Sequence, residues 1–224
     1  MMVSPEGYIA IGDIHGCILS LNALLARLDD EFGTSRTYIF LGDFVDRGPD
    51  SKGVIDRLIE FSCTHNCEFI RGNHDQMLLN YYADNTNLEY LSSGGAQTLE
   101  SYYKDCPDGK LPYAHLKFLI NSKLFVETTE FVFVHGGLPP ELSVREALDD
   151  KSWHSSFLWE RRHLEKEHNE WEKTVVFGHT PVRQPIIKEH MIGIDTGCVY
   201  KQFGKLTAVI LPEREFVQQK RIDF

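Results

Sequence analysis

Short apolar runs alternate with helical patterns in the first third of the 224-residue chain. Three of these runs predict buried strands, at Tyr8–Ile11, Thr37–Leu41 and Glu68–Ile70. Leucines at helical spacing predict a helix over Leu21–Leu28, with Ser20 as a candidate N-cap, and a second apolar stripe predicts a helix over Ser51–Phe61. This strand–helix–strand–helix–strand order is typical of a parallel sheet with right-handed crossovers.

The pattern changes between residues 76 and 122, where helical spacing dominates and Gly94-Gly95 separates two helices. We interpret this stretch as a helical insertion beside the site, and its tyrosines, Tyr90 among them, as packing residues. Charged residues 160–172 predict a solvent-facing helix. Later strand patterns lie at 124–126, 131–134 and 174–177, and the tail patterns at 186–187, 192–194, 206–211 and 216–217 predict a second, largely antiparallel sheet.

Together these elements predict an α/β fold of two packed mixed β-sheets flanked by helices, with the helical insertion added. A chain of this length can bury one sizeable hydrophobic core. No internal repeat, low-complexity segment or linker interrupts the pattern, so residues 1–224 are interpreted as a single domain.

Composition narrows the classes of partner. A formal net charge of −10 argues against binding to nucleic acid polymers or anionic membranes. The five cysteines are scattered and odd in number, which predicts reduced thiols rather than a disulfide framework. Neither a signal-peptide pattern nor an apolar run of membrane-spanning length is present, so we expect a cytoplasmic protein.

The densest chemistry follows the second predicted strand, in the stretch Gly42-Asp43-Phe44-Val45-Asp46-Arg47-Gly48. The two glycines allow a sharp turn and a close approach to a ligand. The carboxyl end of a strand is also where α/β sheets bind ligands. Asp and Gly are common in turns that bind nothing, however, so this stretch alone does not decide its function.

Other strand ends repeat this composition. The polar side chains that follow the predicted strands are Asp13, His15, Asp43, Asp46, Arg47, Arg71, Asn73, His74, Asp75, His135, His179 and Asp195. A lone histidine at a strand end is most often structural, but so many His and Asp after separate strands favour a functional site. Oxygen and imidazole donors suit divalent Mn, Fe or Zn. Two ions about 3.5–4 Å apart need a shared carboxylate and can clamp a phosphate ester.

Five motifs resemble, in order, those of the metallo-dependent phosphoprotein phosphatases: Gly12–Gly16, Gly42–Gly48, Gly72–Asp75, His135–Gly137 and Gly178–Thr180. The resemblance extends from Gly12 to Gly197. The small size and the ending Gly193–Cys198 are similar to the bacterial and bacteriophage serine/threonine phosphatases. Symmetrical diadenosine tetraphosphate hydrolases are related to the same group. The resemblance implies the calcineurin-like sandwich of two sheets between helical layers.

The resemblance also implies a ligand set for two divalent ions, most simply Mn, with Fe or Zn as alternatives. Asp13 and His15 would hold the first ion and Asp43 would bridge to the second, which Asn73, His135 and His179 would complete. A water or hydroxide between the ions would attack phosphorus directly, without a phosphoenzyme.

The remaining motif residues would act on the substrate. His74 would protonate the leaving alkoxide, with Asp46 holding its ring. The arginines expected to bind phosphoryl oxygens are Arg47, Arg71 and Arg161, with Arg162 as the alternative to Arg161.

The leading interpretation of function is a phosphomonoesterase that acts on phosphoserine and phosphothreonine in a phosphoprotein or phosphopeptide, with phosphotyrosine as a further candidate. The Asp46-Arg47 pair and the short chain favour it. The alternative is symmetrical cleavage of dinucleoside tetraphosphates, a branch that shares Asp75 where the protein phosphatases carry Glu. A third hypothesis, a catalytically silent scaffold, predicts missing ligands, and all six proposed ligands are present.

Overall fold

The computed structural model describes residues 7–84, 88–103, 105–106 and 110–224. Its described strands form two five-stranded sheets, with the orders β10-β9-β1-β2-β3 and β4-β5-β6-β8-β7. The strands are β1 Tyr8–Ile11, β2 Thr37–Phe40, β3 Cys67–Phe69, β4 Phe125–Glu127, β5 Phe131–Val134, β6 Thr174–Phe177, β7 Ile186–Lys188, β8 Met191–Gly193, β9 Lys205–Leu211 and β10 Glu215–Lys220.

Parallel pairing organises the centre of both sheets. In the first sheet β1, β2 and β3 are parallel, as the strand–helix alternation predicts. In the second, β5, β6 and β8 are parallel, with β4 and β7 antiparallel at the two edges. The carboxyl ends of the parallel strands therefore deliver their following loops to a common edge of each sheet.

The tail strands do not form a sheet of their own, so that prediction is wrong. β7 and β8 complete the second sheet, whereas β9 pairs antiparallel with β1 and β10 pairs with β9 in the first. Six of the seven residues of β9 are buried. A run that is buried on both faces shows no alternation, so its pattern does not reveal which sheet it joins.

The described helices are α1 Ile18–Phe32, α2 Ser51–Ser62, α3 Asn73–Asp84, α4 Leu88–Tyr90, α5 Ala96–Tyr103, α6 Tyr113–Asn121 and α7 Val144–Asp149. A five-residue π-turn, Leu91–Gly95, joins α4 to α5 and contains both glycines of the predicted break. Helices α3 to α6 thus occupy the stretch interpreted as an insertion. None of the helices in the described ranges has the length and apolar character that crossing a bilayer requires.

The N-cap prediction for α1 is also wrong, because Ser20 lies inside the helix. Cys17 precedes α1 and provides no side-chain cap. The carboxylate of Asp223 instead accepts hydrogen bonds from the backbone N–H groups of Leu19 at 2.8 Å and Ser20 at 3.1 Å. A residue about 200 positions away therefore satisfies donors at the helix start that the helix itself leaves unpaired.

Residues 160–172 form no helix beyond the three-residue 3₁₀ turn Arg162–Leu164, which corrects the prediction of a solvated helix. His163 and Trp171 point inward, with 0% and 2% of their surface exposed. Their spacing of eight residues fits a helical stripe, but the chain between them is irregular. Burial of these two aromatic rings, rather than helical periodicity, determines the path of the segment.

Three hydrophobic clusters hold four layers together. The central cluster joins the sheets, with Ala10, Ile39 and Val209 of the first sheet in one cluster with Phe133 and Val176 of the second. A second cluster packs α1 and α2 on the outer face of the first sheet. A third packs α7 and the 3₁₀ turns Lys151–Trp153 and Ser156–Leu158 on the outer face of the second sheet. The predicted α/β sandwich of two mixed sheets flanked by helices is confirmed.

Candidate active site

The loops after β1, β2, β3, β5 and β6 meet at one edge of the sandwich. The side chains that they bring together are no more than 6% exposed: Asp13, His15, Asp43, Asp46, Asn73, His74, His135 and His179. Five non-glycine residues of these loops, His15, Asp43, Asp46, Arg47 and His179, have positive φ angles between 48° and 74°. Such conformations carry strain and concentrate at functional sites, where the surrounding structure enforces them.

One group of donors consists of Asp43, His135 and His179, whose ligand atoms lie within 4.8 Å of one another. The Nδ1 of His135 lies 2.7 Å from the Leu41 carbonyl and donates to it, so its Nε2 carries a lone pair. That Nε2 faces the Oδ1 of Asn73 at 2.9 Å, and the Nδ1 of His179 lies 2.9 Å from the same oxygen. Lone-pair donors that converge in this way fit a cation between them.

A second group consists of His15, Asp43 and His74, again within 4.8 Å. His15 donates from Nδ1 to the Val45 carbonyl at 2.8 Å, and its Nε2 lies 3.3 Å from Asp43 Oδ2. Asp43 is thus common to both groups, as a bridging carboxylate requires. Neither group includes Asp13, whose carboxylate oxygens accept from the backbone N–H of His179 at 3.1 Å.

The protonation states of these groups suit divalent ions. Burial lowers the pKa of His15 to about 3 and of His179 to about 2, and it also lowers the pKa of His135, so all three imidazoles are neutral at pH 7. Neutral imidazole is the form that coordinates metal. The Nε2 of His179 is buried and has no hydrogen-bond partner among the described residues. The residues present therefore fit the metals that the sequence predicts.

Three buried carboxylates crowd this edge, since Asp195 lies near Asp13 and Asp43. Burial, followed by repulsion from Asp195 and Asp43, raises the pKa of Asp13. Burial likewise raises the pKa of Asp195 to about 7. Cations relieve such repulsion, so this crowding also fits a metal centre. Asp195, which the sequence marked without a role, accepts from the Gly197 N–H at 2.8 Å and shapes the turn after β8.

His74 and Asp46 are in hydrogen-bond contact, and the acid role of His74 stays a prediction. His74 Nδ1 lies 2.7 Å from Asp46 Oδ2, and both side chains are buried. The other oxygen of Asp46 accepts from the hydroxyls of Tyr90 and Thr98, each at 2.7 Å. Both residues come from the helical stretch after α3, so this stretch holds the carboxylate that orients His74. The prediction that Tyr90 only packs is therefore incomplete, and Thr98 had been missed.

Arg47 lies at the mouth of the site. Its Nη1 donates to His15 Nε2 at 2.7 Å, and its guanidinium lies 5.3 Å from the centre of the Tyr200 ring. The Arg47 backbone N–H donates to the Gly94 carbonyl at 3.0 Å. A Cβ at Gly94 would lie 2.6 Å from Arg47 Cγ, so the π-turn has room for Arg47 only because this position is glycine.

Arg71 is held away from this position by α6. Its guanidinium donates to Gln76 Oε1 at 2.9 Å and to the backbone carbonyls of Leu119, Ile120 and Ser122 at 2.7–3.1 Å. The last carbonyls of a helix lack intrahelical partners, and Arg71 satisfies them. The geometry gives Arg71 a structural role, and its contact with phosphate stays a prediction.

Of the two alternatives for the third phosphate-binding arginine, the contacts in the structure favour Arg161 over Arg162. Arg162 pairs with Glu160 and Glu141, each at 2.7 Å. The positive charge of Arg161 contributes to lowering the pKa of His135 and His179, which places it near these two histidines. Asp75 is a structural residue, because its carboxylate accepts from the N–H groups of Phe44 at 3.0 Å and Gly72 at 2.8 Å and ties two motif turns together.

Metallophosphoesterases are a class of protein defined by a layered α/β sandwich in which Asp, Asn and His side chains from several strand ends meet at one site. The chain belongs to the calcineurin-like phosphoesterase family, whose sequence profile matches residues 8–211. It is thus a phosphoester hydrolase, and the family implies divalent metal ions. The predicted kinship with this broad group, including its phosphoprotein phosphatases and diadenosine tetraphosphate hydrolases, is confirmed.

Three similar proteins bear on which substrate this phosphoesterase hydrolyses. The chain is 31% identical to an Oceanobacillus iheyensis protein named bis(5'-nucleosyl)-tetraphosphatase PrpE [asymmetrical], over 92% of this chain and 89% of that protein. It superposes with a TM-score of 0.70 and 24% identity on a crystal structure of a protein proposed to be a diadenosine tetraphosphatase, covering 99% and 97% of the two chains. A Saccharomyces cerevisiae protein serine/threonine phosphatase matches with a TM-score of 0.66 and 16% identity, over 99% and 82%. The last two likenesses concern fold alone.

Proposed function

We propose that this phosphoesterase hydrolyses dinucleoside tetraphosphates, and that it cleaves them asymmetrically. The observation that carries the proposal is the near full-length similarity to a relative named as an asymmetrical bis(5'-nucleosyl)-tetraphosphatase. This reverses the order of the two substrate hypotheses from sequence, in which protein dephosphorylation came first. It also replaces symmetrical cleavage, the form in which the alternative was stated.

Two divalent ions would be held by the donors described above, most simply Mn. Asp43, Asn73, His135 and His179 surround one position, and Asp43, His15 and His74 surround the other. The resemblance adds Asp13 to the second position. When bound, divalent ions at such a site supply Lewis acidity toward a phosphoryl group.

The protein's own side chains bind and orient the phosphate chain and hold a proton near the leaving group. Arg47 and Arg161 present guanidinium groups at the rim, suited to phosphoryl oxygens. His74 keeps Nδ1–H on Asp46, which leaves Nε2 as the atom that gives a proton to the leaving oxygen. Asymmetrical cleavage releases a phosphate chain, a good leaving group that needs little help from His74.

One observation favours phosphoprotein phosphatase activity as a second candidate. The His74–Asp46 pair is held by hydrogen bonds from Tyr90 and Thr98 to Asp46 at 2.7 Å. Such support has most value where the leaving group is a serine or threonine alkoxide, because an alkoxide leaves poorly without a proton.

A substrate comparison tests the proposal. Purified protein with added Mn is incubated with diadenosine tetraphosphate and, separately, with a phosphoserine peptide, and the products are separated by anion-exchange chromatography. The proposal expects AMP and ATP. ADP alone would show symmetrical cleavage, turnover of the peptide alone would show a protein phosphatase, and turnover of neither would favour the scaffold hypothesis.

A further inference from the structure

A groove of about 760 Å³ opens beside the candidate active site, between the start of α2 and α5. We call it the α2–α5 groove, and its lining includes Arg47, Lys52, Gln97, Ser101, Phe224 and several carboxylates. Its volume lies in the range of small-molecule sites, roughly 300–1,000 Å³. None of the chemistry described above uses the groove beyond Arg47.

The groove is continuous with the metal donors through Arg47. This residue lines the groove, and its Nη1 donates to the Nε2 of His15 at 2.7 Å. Gly48, the next lining residue, packs so closely on the His15 backbone that a Cβ there would lie 1.9 Å from the His15 carbonyl oxygen. A molecule whose phosphate lies at Arg47 can therefore extend directly into the groove.

Phe224 provides an aromatic platform in the groove. Its side chain is 64% exposed, and the guanidinium of Arg221 lies 4.1 Å from the centre of its ring. Asp223, bonded to the start of α1, holds the chain beside this ring, and the Ile222 N–H donates to Ser20 Oγ at 3.1 Å. The chain that leads to the ring is thus anchored, while much of the ring's surface stays open.

Charge along the groove suits an uncharged group better than a phosphate chain. Asp50 accepts from the Gly53 N–H at 2.7 Å as the N-cap of α2. Lys52 lies 3.0 Å from both Asp56 and Asp105, so its single positive charge leaves this part of the groove net negative. Glu100 adds a further carboxylate to the lining, and a phosphate chain would be repelled there. Arg47 is a lining cation that contacts one of the metal donors, His15, so phosphate is expected at that end and a neutral ring toward Phe224.

We propose that the α2–α5 groove binds one nucleoside of the substrate, with its base stacked on Phe224 and its phosphate chain running toward Arg47; this inference rests on the proposed dinucleotide substrate. An aromatic ring backed by a guanidinium is a platform for any purine or pyrimidine face. Gln97 and Ser101 supply polar groups within the same groove. The groove thereby selects a nucleotide over a simple phosphate ester.

The test compares Phe224→Ala with wild type on diadenosine tetraphosphate and on p-nitrophenyl phosphate, which has no nucleoside. Loss of one base–aromatic stack, worth about 1–3 kcal/mol, corresponds to a rise in KM of about 5- to 150-fold for the dinucleotide. The kcat/KM for p-nitrophenyl phosphate stays unchanged. Phe224→Trp keeps the low KM, and Ile222→Ala, which removes a neighbouring side chain that is 54% exposed, serves as the matched control.

Two results overturn the subsite while leaving the proposed function standing. One is dinucleotide cleavage by Phe224→Ala with an unchanged KM. The other is an equal loss on both substrates, because that means Phe224 only supports the fold.

Adenosine binding, measured by calorimetry on the Mn-loaded protein, separates failure of the subsite from failure of the proposed function. If wild type cleaves no dinucleoside tetraphosphate but binds adenosine, and Phe224→Ala abolishes binding, the subsite stands and the proposed function falls. If adenosine does not bind, and Phe224→Ala instead weakens the binding of a lysine-rich phosphopeptide, the groove is a peptide site and the inference is wrong.

Discussion

The metal side of the site and its leaving-group side are built from different parts of the chain. On the metal side, Asp43, His135 and His179 each lie in the loop that begins where a strand ends and need only the parallel sheets to bring them together. On the leaving-group side, His74 depends on Asp46, which in turn is held by Tyr90 and Thr98 from a helical segment. The first side defines the chemistry common to the family, and the second is where this protein can adapt to its own leaving group.

Replacing Asp43 by Asn gives the largest expected effect. Asp43 belongs to both donor groups, so its loss removes the shared carboxylate and the metals with it. We expect metal content, measured by plasma mass spectrometry, to fall from two ions per chain and kcat/KM to fall by about 10³-fold or more, beyond the 10–100-fold typical of residues that only support ligands. Retention of both ions in Asp43→Asn would contradict the bridging role.

His74→Asn tests the other side of the site. Since the acid matters in proportion to how poorly the group leaves, we expect a fall of about 10²-fold in kcat for an alkyl phosphate and a much smaller fall for an aryl phosphate. Metal content stays near that of wild type. Equal losses on the two esters would show that His74 is not the general acid. His74 would then belong to the metal side, because its ligand atom lies within 4.8 Å of those of His15 and Asp43.

The irregular segment 160–172 allows a test of stability against pH. Burial lowers the pKa of His163 to about 4, and both ring nitrogens lack hydrogen-bond partners among the described residues. In the unfolded chain, His163 has an ordinary histidine pKa near 6.5. Its contribution to the free energy of unfolding is therefore fully present above pH 6.5 and is lost as pH falls toward 4, by about 3 kcal/mol at most.

His163→Phe should therefore flatten the fall in the free energy of unfolding between pH 6.5 and 4, as measured by urea denaturation. His168, whose side chain is 89% exposed, provides the control variant His168→Phe. An identical slope in wild type and His163→Phe would mean that His163 binds a proton as readily in the folded protein as in the unfolded chain, which contradicts the prediction.

Tyr90→Phe is the finest test of the leaving-group side. It deletes one hydroxyl bonded to Asp46, and a hydrogen bond to a charged group contributes about 1.5–3 kcal/mol. We expect a loss of about tenfold or more in kcat for the alkyl phosphate, little change for the aryl phosphate and no loss of metal. Tyr103→Phe, on an exposed tyrosine of α5, is the matched control. A uniform loss on both esters would make Tyr90 a packing residue, as its sequence context predicts.

Sequence and structure agree where a residue's position depends on local chain direction. Asp43 and His135 could be read as site residues because each stands beside a glycine after a buried apolar run, and parallel strands bring such positions to one edge. Tyr90 lies 44 residues from Asp46 in the sequence. A buried tyrosine hydroxyl needs a hydrogen-bond partner, but the sequence does not indicate which residue that partner is.

The same limit explains the errors. Contacts that the sequence did not predict have the same cause: the carbonyls at the end of α6 that hold Arg71 belong to a helix whose placement no local pattern reveals. Asp223 caps α1 from the far end of the chain, and β9 joins the first sheet through pairing with β1. Each of these contacts depends on tertiary packing between distant segments rather than on propensity or spacing.

The central claim is that two divalent ions lie among these buried donors. The most direct measurement is a crystal structure of the Mn-loaded protein with anomalous data collected at the Mn edge. The account predicts two anomalous peaks about 3.5–4 Å apart with Asp43 between them, one bordered by His135 and His179 and the other by His15. Peaks elsewhere on the surface, or none at this edge of the sandwich, would contradict it.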